Sequence, residues 1–361
     1  MELAEICRIA MRRGASDIHL KVGLPAMIRV SGKLMPIPSS PKLTKEVVGR
    51  MAWDAMSKGQ RERFKETGDL DMAYEVPGLG RFRVNVFRQR RNVGLVLRTI
   101  PSDVKTIDEL NLPQVLKEVA LTPRGLVLVT GTTGSGKSTT LAAIIEEINR
   151  NLAHHILTIE DPIEFTFRDR RSVINQREVG VDSDDFESAL RAALRQDPDA
   201  ILVGELRDKE TVEIALQAAE TGHLVLGTLH TLDAPESINR VVGFFEPHHQ
   251  QQIRYQLASV LRAVLSQRLI KSKAGGRVAA VEIMMNTGSV SECITDASRV
   301  KEIPDHMAAG RKVYGSQTFD QAVYGLLKAG KITEANALAS VNNPDELALR
   351  LRGIGADDWD E

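Results

Sequence analysis

Gly131 to Thr139 reads GTTGSGKST. The spacing is G-x-x-x-x-G-K-[ST], in which glycines free successive backbone N–H groups to curl around phosphate oxygens. A short, nearly all-apolar run, GLVLVTG, leads into it, and a helical stretch, TLAAIIEEINR, follows. That strand–loop–helix context adds the partial positive charge of a helix N-terminus. In this pattern Lys137 reaches the β- and γ-phosphates of a nucleoside triphosphate, and the Ser138 hydroxyl ligates Mg²⁺.

Acids and histidines fall at the ends of further apolar runs. AILVGELRD, Ala200 to Asp208, has four apolar-or-small strand positions and then Glu205, with Gly204 where an aspartate is common. The strand beside a phosphate loop ends in an acid that handles Mg²⁺ or water, so Glu205 is the candidate to orient an attacking water. TIEDPIEF puts Glu160, Asp161 and Glu164 at another strand end, where acids can hold Mg²⁺ or its waters. HLVLGTLHT sets His223 at the start of a strand and His230 at its C-terminal end, the end where ligands sit in open α/β sheets. The pairs His154-His155 and His248-His249 lack metal-ligand spacing and read as surface.

The runs GLVLVTG, HILTIE, AILVGE and HLVLGTLH recur with helical stretches between them. Apolar runs without alternation fit strands buried on both faces of a largely parallel sheet, so the fold class is α/β. The first hundred residues read as mixed α/β. Leu3, Ile6 and Ala10 have helical spacing up to Gly14. SDIHLKVGLPAMIRVSGKLMPI alternates as short strands with a turn at Ser31-Gly32, and Thr44 caps a helix through Met56. RFRVNVF puts Phe82, Val84 and Val86 on one face and Arg81, Arg83 and Asn85 on the other. A second strand, GLVLRTI, contains Arg98. Pro101 to Pro113 is polar with a proline at each end, which predicts a linker. After about Met285 the spacing turns helical, with Phe319, Val323, Leu326 and Leu327 on one face. GIGADDWDE closes the chain as an acidic tail.

The chain has 361 residues, 42% hydrophobic and 26% charged, a composition that excludes wholesale disorder. No apolar run approaches the ~18 residues of a membrane span, and the N-terminus has no apolar signal core. Cys7 and Cys293 are too few for a disulfide framework or a cysteine-rich metal site, which points to a reducing compartment. The net charge of −1 hides an asymmetry: residues 1–100 carry +9 and the rest −10, and six arginines with no acid lie between Arg81 and Arg98. A basic front and an acidic back suit nucleic acid, an anionic membrane, or a second copy of the chain.

GTTGSGKST, TIEDPIEF, RQDPDAILVGELRD and TGHLVLGTLHT, in this order, resemble the secretion and pilus ATPases, and most resemble the type IV pilus retraction ATPase family (PilT- and PilU-like). ASDIHLKVGLPAMIRVSGKL and GLGRFRVNVF are similar to that family's PAS-like domain, and TFDQAVYGLLKAGKIT to its C-terminal helices. The resemblance implies a PAS-like N-terminal α/β domain over 1–100, a linker over 101–113, a RecA-like ATPase core over 114–286 and a C-terminal helical region over 287–361. It implies that Thr133, Gly134, Ser135, Gly136, Lys137, Ser138, Thr139 and Thr140 bind ATP and Mg²⁺, with Glu205 as catalytic glutamate. Glu160 and Glu164 would form an acidic box at the metal, and His223 and His230 a histidine box that senses the nucleotide. Arg83 and Arg98 would contact phosphates and couple domain rotation to hydrolysis. Arg195 and Arg207, beside the Glu205 strand, are further candidates, with ion pairs to Asp197 or Asp208 as the alternative.

The resemblance also implies a cytoplasmic homohexamer, peripheral to the inner membrane at the pilus base. It would act on an inner-membrane platform protein, with a paralogous retraction ATPase as a further partner and no nucleic acid. Three departures stand out. Thr132 replaces a usual proline. Two cysteines cannot supply the tetracysteine zinc motif of the extension motors. SVSECITD, Ser289 to Asp296, replaces a segment like AIRNLIRE that retraction requires, and its two basic residues are gone. The expected function is therefore an ATP-hydrolysing motor that retracts pili, with an accessory ATPase beside another motor as the alternative. A DNA-translocating RecA-like ATPase is opposed by the acidic core and the motif order.

Overall fold

The computed structural model describes residues 2–30, 32–100 and 104–352. Contacts divide the chain into two units, Met1–Asp103 with Glu164–Thr166, and Val104–Ile163 with Phe167–Glu361.

In the first unit six strands form one antiparallel sheet: β1 (Asp17–Leu20), β2 (Met27–Val30), β3 (Lys33–Pro36), β4 (Asp69–Val76), β5 (Gly80–Gln89) and β6 (Asn92–Thr99), in the order β3-β2-β1-β6-β5-β4. The alternation of RFRVNVF is realised: Phe82, Val84 and Val86 are fully buried in a core shared with Ile6, Ile18 and Leu97. The first helix, Leu3–Arg12, ends where Gly14 turns into the left-handed region at φ 64. Thr44 caps Lys45–Ala55 by accepting from the Val47 N–H at 3.4 Å. Val30 pairs with Lys33 across the expected turn; Gly32 has φ 81, and Ser31 lies outside the described residues. The sequence pattern signals neither the helix Lys58–Thr67, which buries only Phe64, nor β4.

In the second unit β7 (Gly125–Thr130), β8 (His155–Glu160), β9 (Val173–Glu178), β10 (Ala200–Val203), β11 (Leu224–Leu229), β12 (Leu261–Lys271) and β13 (Arg277–Met285) form one sheet in the order β13-β12-β7-β11-β10-β8-β9. All neighbours are parallel except β12 and β13. The all-apolar runs follow from burial on both faces. In β7, Leu126 and Leu128 enter one core cluster while Val127 and Val129 enter the other. The sequence pattern does not signal β9, β12 and β13, whose apolar runs are broken by Asn175, Ser266, Gln267 and Glu282.

The segment expected as a linker is built differently. Pro101–Asp103 lie outside the described residues, and from Val104 the chain belongs to the second unit. Ile107 and Leu112 are buried in its core and Leu110 packs against it. Burying each such side chain is worth about 1.5–3 kcal/mol, enough to override the surrounding polar residues and prolines. From Gly288 onward the described regular elements are helices, and Phe319 and Val323 are buried as their spacing predicts. The acidic tail 353–361 lies outside the described residues.

Candidate active site

The register of the parallel strands sets where the motifs emerge. Thr130 of β7 stands opposite Leu229 of β11, Val203 of β10 opposite Gly227 of β11, and Val203 opposite Ile159 of β8. The phosphate loop, His230, Glu205 and Glu160 therefore leave the sheet along one edge, at the carboxyl ends of adjacent strands.

The loop is shaped by three glycines in positive φ: Gly131 at 137°, Gly134 at 79° and Gly136 at 95°. A Cβ on Gly131 would stand 2.5 Å from the Gln267 carbonyl oxygen, and one on Gly136 would stand 2.8 Å from Gln267 Nε2. Backbone conformation and the close approach of β12 both exclude a side chain there. Lys137 Nζ donates to the carbonyls of Gly131 at 2.7 Å and Thr132 at 3.2 Å, holding the loop curled. Ser135 Oγ is buried without a hydrogen-bond partner among the described residues, a group that a phosphate oxygen would satisfy. Ser138 and Thr139 are half-buried on the first turn of the helix Lys137–Asn151, while Thr133 and Gly134 are exposed at the loop's tip. Thr140 is buried and its hydroxyl donates to Gln267 Oε1 at 2.7 Å, so it fastens the helix to β12.

Gln267 is thus a part of the loop's seat that the motif does not contain. The one local signal was a polar residue inside an apolar run. Beside the loop lies a cavity of about 500 Å³ bordered by Gly136, Thr139, Leu269, Arg277, Lys105 and Lys331. Its basic rim and partly apolar wall suit a nucleotide's ribose and base.

Glu205 follows β10. Gly204 precedes it, and a Cβ there would stand only 3.0 Å from the Ile159 carbonyl oxygen, so a side chain at this position would crowd β8. Thr228 Oγ1 donates to the Gly204 carbonyl at 2.5 Å, fixing the strand end. Glu205 Oε2 accepts from Arg207 Nε at 2.6 Å, and its Oε1 lies 3.3 Å from His230 Nε2. Arg207 also reaches Asp161 at 3.7 Å. Asp208 instead caps the next helix through the Thr211 N–H. Arg195 donates to the Arg191 carbonyl at 3.1 Å.

Glu160 is buried, its Oε1 accepting from Thr158 Oγ1 at 2.7 Å and Gln176 Nε2 at 3.2 Å. Glu164 falls in the short segment that clusters with the first unit. His223 is at the opposite edge of the sheet from His230. Its carbonyl accepts from the Gly125 N–H at the start of β7, and its Nδ1 lies 2.8 Å from the Ala218 carbonyl. The two histidines are separated by the length of β11, roughly 20 Å at a strand's rise per residue, so one chain does not bring them together.

In the first unit, Arg83 and Arg98 are direct cross-strand partners on β5 and β6, closer than neighbouring strands alone implied. Arg98 is also opposite Asp17 on β1, and Asp17 opposite Arg29 on β2. Arg98 Nε donates to Asp17 Oδ1 at 3.1 Å, Arg29 Nε is 3.7 Å from Oδ2, and Arg83 Nε is 3.9 Å from Asp71. Burial pushes the Asp17 carboxyl up, but the Ser16 hydroxyl and Arg98 overcome it and hold the group below the usual range.

The family model described as "Type II/IV secretion system protein" matches residues 2–334. The "Type IV pilus retractation ATPase PilT" of Pseudomonas aeruginosa is 48% identical, over 96% of this chain and 99% of its own length. The "Type IV pilus ATPase PilU" of the same organism is 41% identical, over 98% and 92%. Among solved structures, "Crystal Structure of the Pilus Retraction Motor PilT and Bound ADP" superposes with a TM-score of 0.88 at 43% identity, covering 96% of this chain and 99% of that one.

Proposed function

Because the chain belongs to the type II/IV secretion system protein family and is one of its ATPases, we propose that it hydrolyses ATP to drive retraction of a type IV pilus. The observation that carries this reading is the convergence of the phosphate loop, Glu205, His230 and Glu160 on one edge of the second unit's sheet.

The loop's N–H groups, Ser135 and Lys137 bind the phosphates, and Ser138 with Glu160 and Glu164 are the residues that would hold Mg²⁺. When bound, Mg²⁺ neutralises charge on the β- and γ-phosphates. Glu205 orients the attacking water, and Arg207 and His230, one on each oxygen, fix its carboxylate. Arg83 and Arg98 supply positive charge to the transferred phosphoryl group, as cationic groups do in this reaction class.

The motor works as a homohexamer at the inner-membrane base of the pilus, against a platform protein. The separation of +9 and −10 along the chain favours head-to-tail association of copies. Among the described residues no helix is long and apolar enough to cross a membrane. One observation favours a second reading, an accessory ATPase beside another motor. The helix Gly288–Thr295 carries no basic residue where the retraction segment has two.

Complementation of a retraction-null strain tests both. Restored twitching and phage sensitivity with the native chain, and none with Lys137→Ala, supports the motor. Restoration only beside a second retraction ATPase supports the accessory reading, and restoration in neither strain removes both.

A further inference from the structure

Beneath the phosphate loop a row of buried polar side chains crosses three strands. Thr130, the last residue of β7, stands opposite Ser266 of β12, and Ser266 opposite Glu282 of β13. Thr130 Oγ1 donates to Ser266 Oγ at 3.0 Å, and Ser266 is the direct cross-strand neighbour of Glu282, on the same face of the β12–β13 pair. Glu282 Oε1 accepts from the Ala234 N–H at 2.9 Å. Thr130 and Ser266 are fully buried and Glu282 is 5% exposed. Ala234 opens the helix Ala234–Gly243, only four residues after His230. The row therefore runs from the residue before the phosphate loop to the segment that carries the imidazole touching Glu205.

A carboxylate is a costly group for such a place. Ionised burial is penalised by several kcal/mol unless donors surround the charge, and an apolar residue would pack the same sheet face without that cost. What the carboxylate supplies is a link that an apolar side chain cannot make. It ties one of the unpaired N–H groups at a helix N-terminus to the strand layer beside the loop.

We propose that Glu282 is a positioning residue for ATP hydrolysis, holding the start of the helix Ala234–Gly243 against the strands under the phosphate loop and so fixing His230, and through it Glu205, relative to the phosphates. The inference rests on the reading of the site as an ATPase.

The charged groups acting on Glu282 are Asp233, at the helix N-cap, and Arg268, on β12. Burial raises its pKa to about 7; Asp233 adds to the rise, and the Ala234 N–H, Ser266 and Arg268 oppose it. The Ala234 N–H donates to the carboxylate, and the neighbouring Ser266 hydroxyl is a further donor facing it. The ionised carboxylate is a charged, strong acceptor for the Ala234 N–H and the Ser266 hydroxyl, whereas the protonated acid offers the Ala234 N–H only a weaker, neutral acceptor. The row is tight above about pH 7 and loosens below it. Glu282→Gln, which carries an N–H₂ at that position, mimics the loose form at every pH.

The test is steady-state ATP hydrolysis by the full chain across pH 6 to 8.5, with binding of a fluorescent ATP analogue measured beside it. The native chain is expected to gain kcat as pH rises through about 7. Glu282→Gln is expected to lose that rise and to lower kcat at high pH roughly tenfold, the equivalent of one hydrogen bond to a charged group. Its KM and analogue affinity should stay near the native values. Ser266→Ala, which breaks the row without changing charge, lowers kcat in the same direction. If Glu282→Gln keeps the native kcat and pH profile, the inference is overturned while the ATPase reading stands. If the native chain hydrolyses no ATP, both fall. A loss of affinity without loss of kcat also overturns it, since that would make Glu282 part of the binding wall.

Discussion

The carboxylate that follows β10 and the imidazole that follows β11 meet: Glu205 Oε1 lies 3.3 Å from His230 Nε2. With Arg207 on the other oxygen, the glutamate is held on both sides in one orientation. The role proposed for Glu205, orienting a water, needs that restraint, because small displacements of a catalytic group cost large factors in rate.

Glu205→Gln should therefore leave ATP binding intact and lower kcat by about 10²- to 10³-fold, the scale of lost general-base assistance. His230→Ala, which releases one side of the carboxylate, should lower kcat about tenfold with little effect on KM. Phosphate release under saturating ATP, with analogue binding as control, measures both. A near-native rate for Glu205→Gln would remove the residue from its role.

Much of this site is legible in the sequence because each motif sits at the end of a run whose burial on both faces makes it wholly apolar. GLVLVT, HILTIE, AILV and LVLGTL announce their strands, and the residue types after them motivate the chemistry proposed for the site. Gln267, Ser266 and Glu282 escape notice because their roles come from register: Ser266 meets Thr130 across 136 positions of chain. Asp17 and Arg98 meet across 81. No local spacing encodes such pairs. The distance between His223 and His230 is legible in retrospect, since six strand residues separate them. The polar segment after Asp103 misleads for the opposite reason: two buried side chains, Ile107 and Leu112, outweigh its overall composition.

The row Arg29–Asp17–Arg98–Arg83 gives a prediction for the first unit. Asp17 has a folded pKa below its ordinary value of 3.8. Its contribution to stability is therefore present above that value and disappears as pH falls through the lowered pKa. Asp17→Asn should lower the melting temperature of the chain by a margin that is constant above about pH 5 and closes in more acidic buffer. A margin that persists unchanged to about pH 3, or none at neutral pH, would show that the carboxylate does not hold the two guanidinium groups.

Glu282 gives the opposite dependence. Its folded pKa, about 7, lies above the ordinary 4.5. The folded chain therefore grips this proton more tightly than the unfolded chain does. The stabilisation is complete below the ordinary value and is lost as pH rises through 7, the loss amounting to roughly 3 kcal/mol once the group is ionised. Glu282→Gln cannot ionise. It should melt several degrees above the native chain near pH 8, where the native carboxylate is charged and buried, and show no such advantage near pH 5. If the side chain served only to stabilise the fold, the substitution would lower the melting temperature at both values. A variant that is more stable at pH 8 and yet slower in hydrolysis is the expected mark of a group retained for positioning at a cost in stability. Differential scanning calorimetry at the two pH values, on the same preparations used for kinetics, decides between the two.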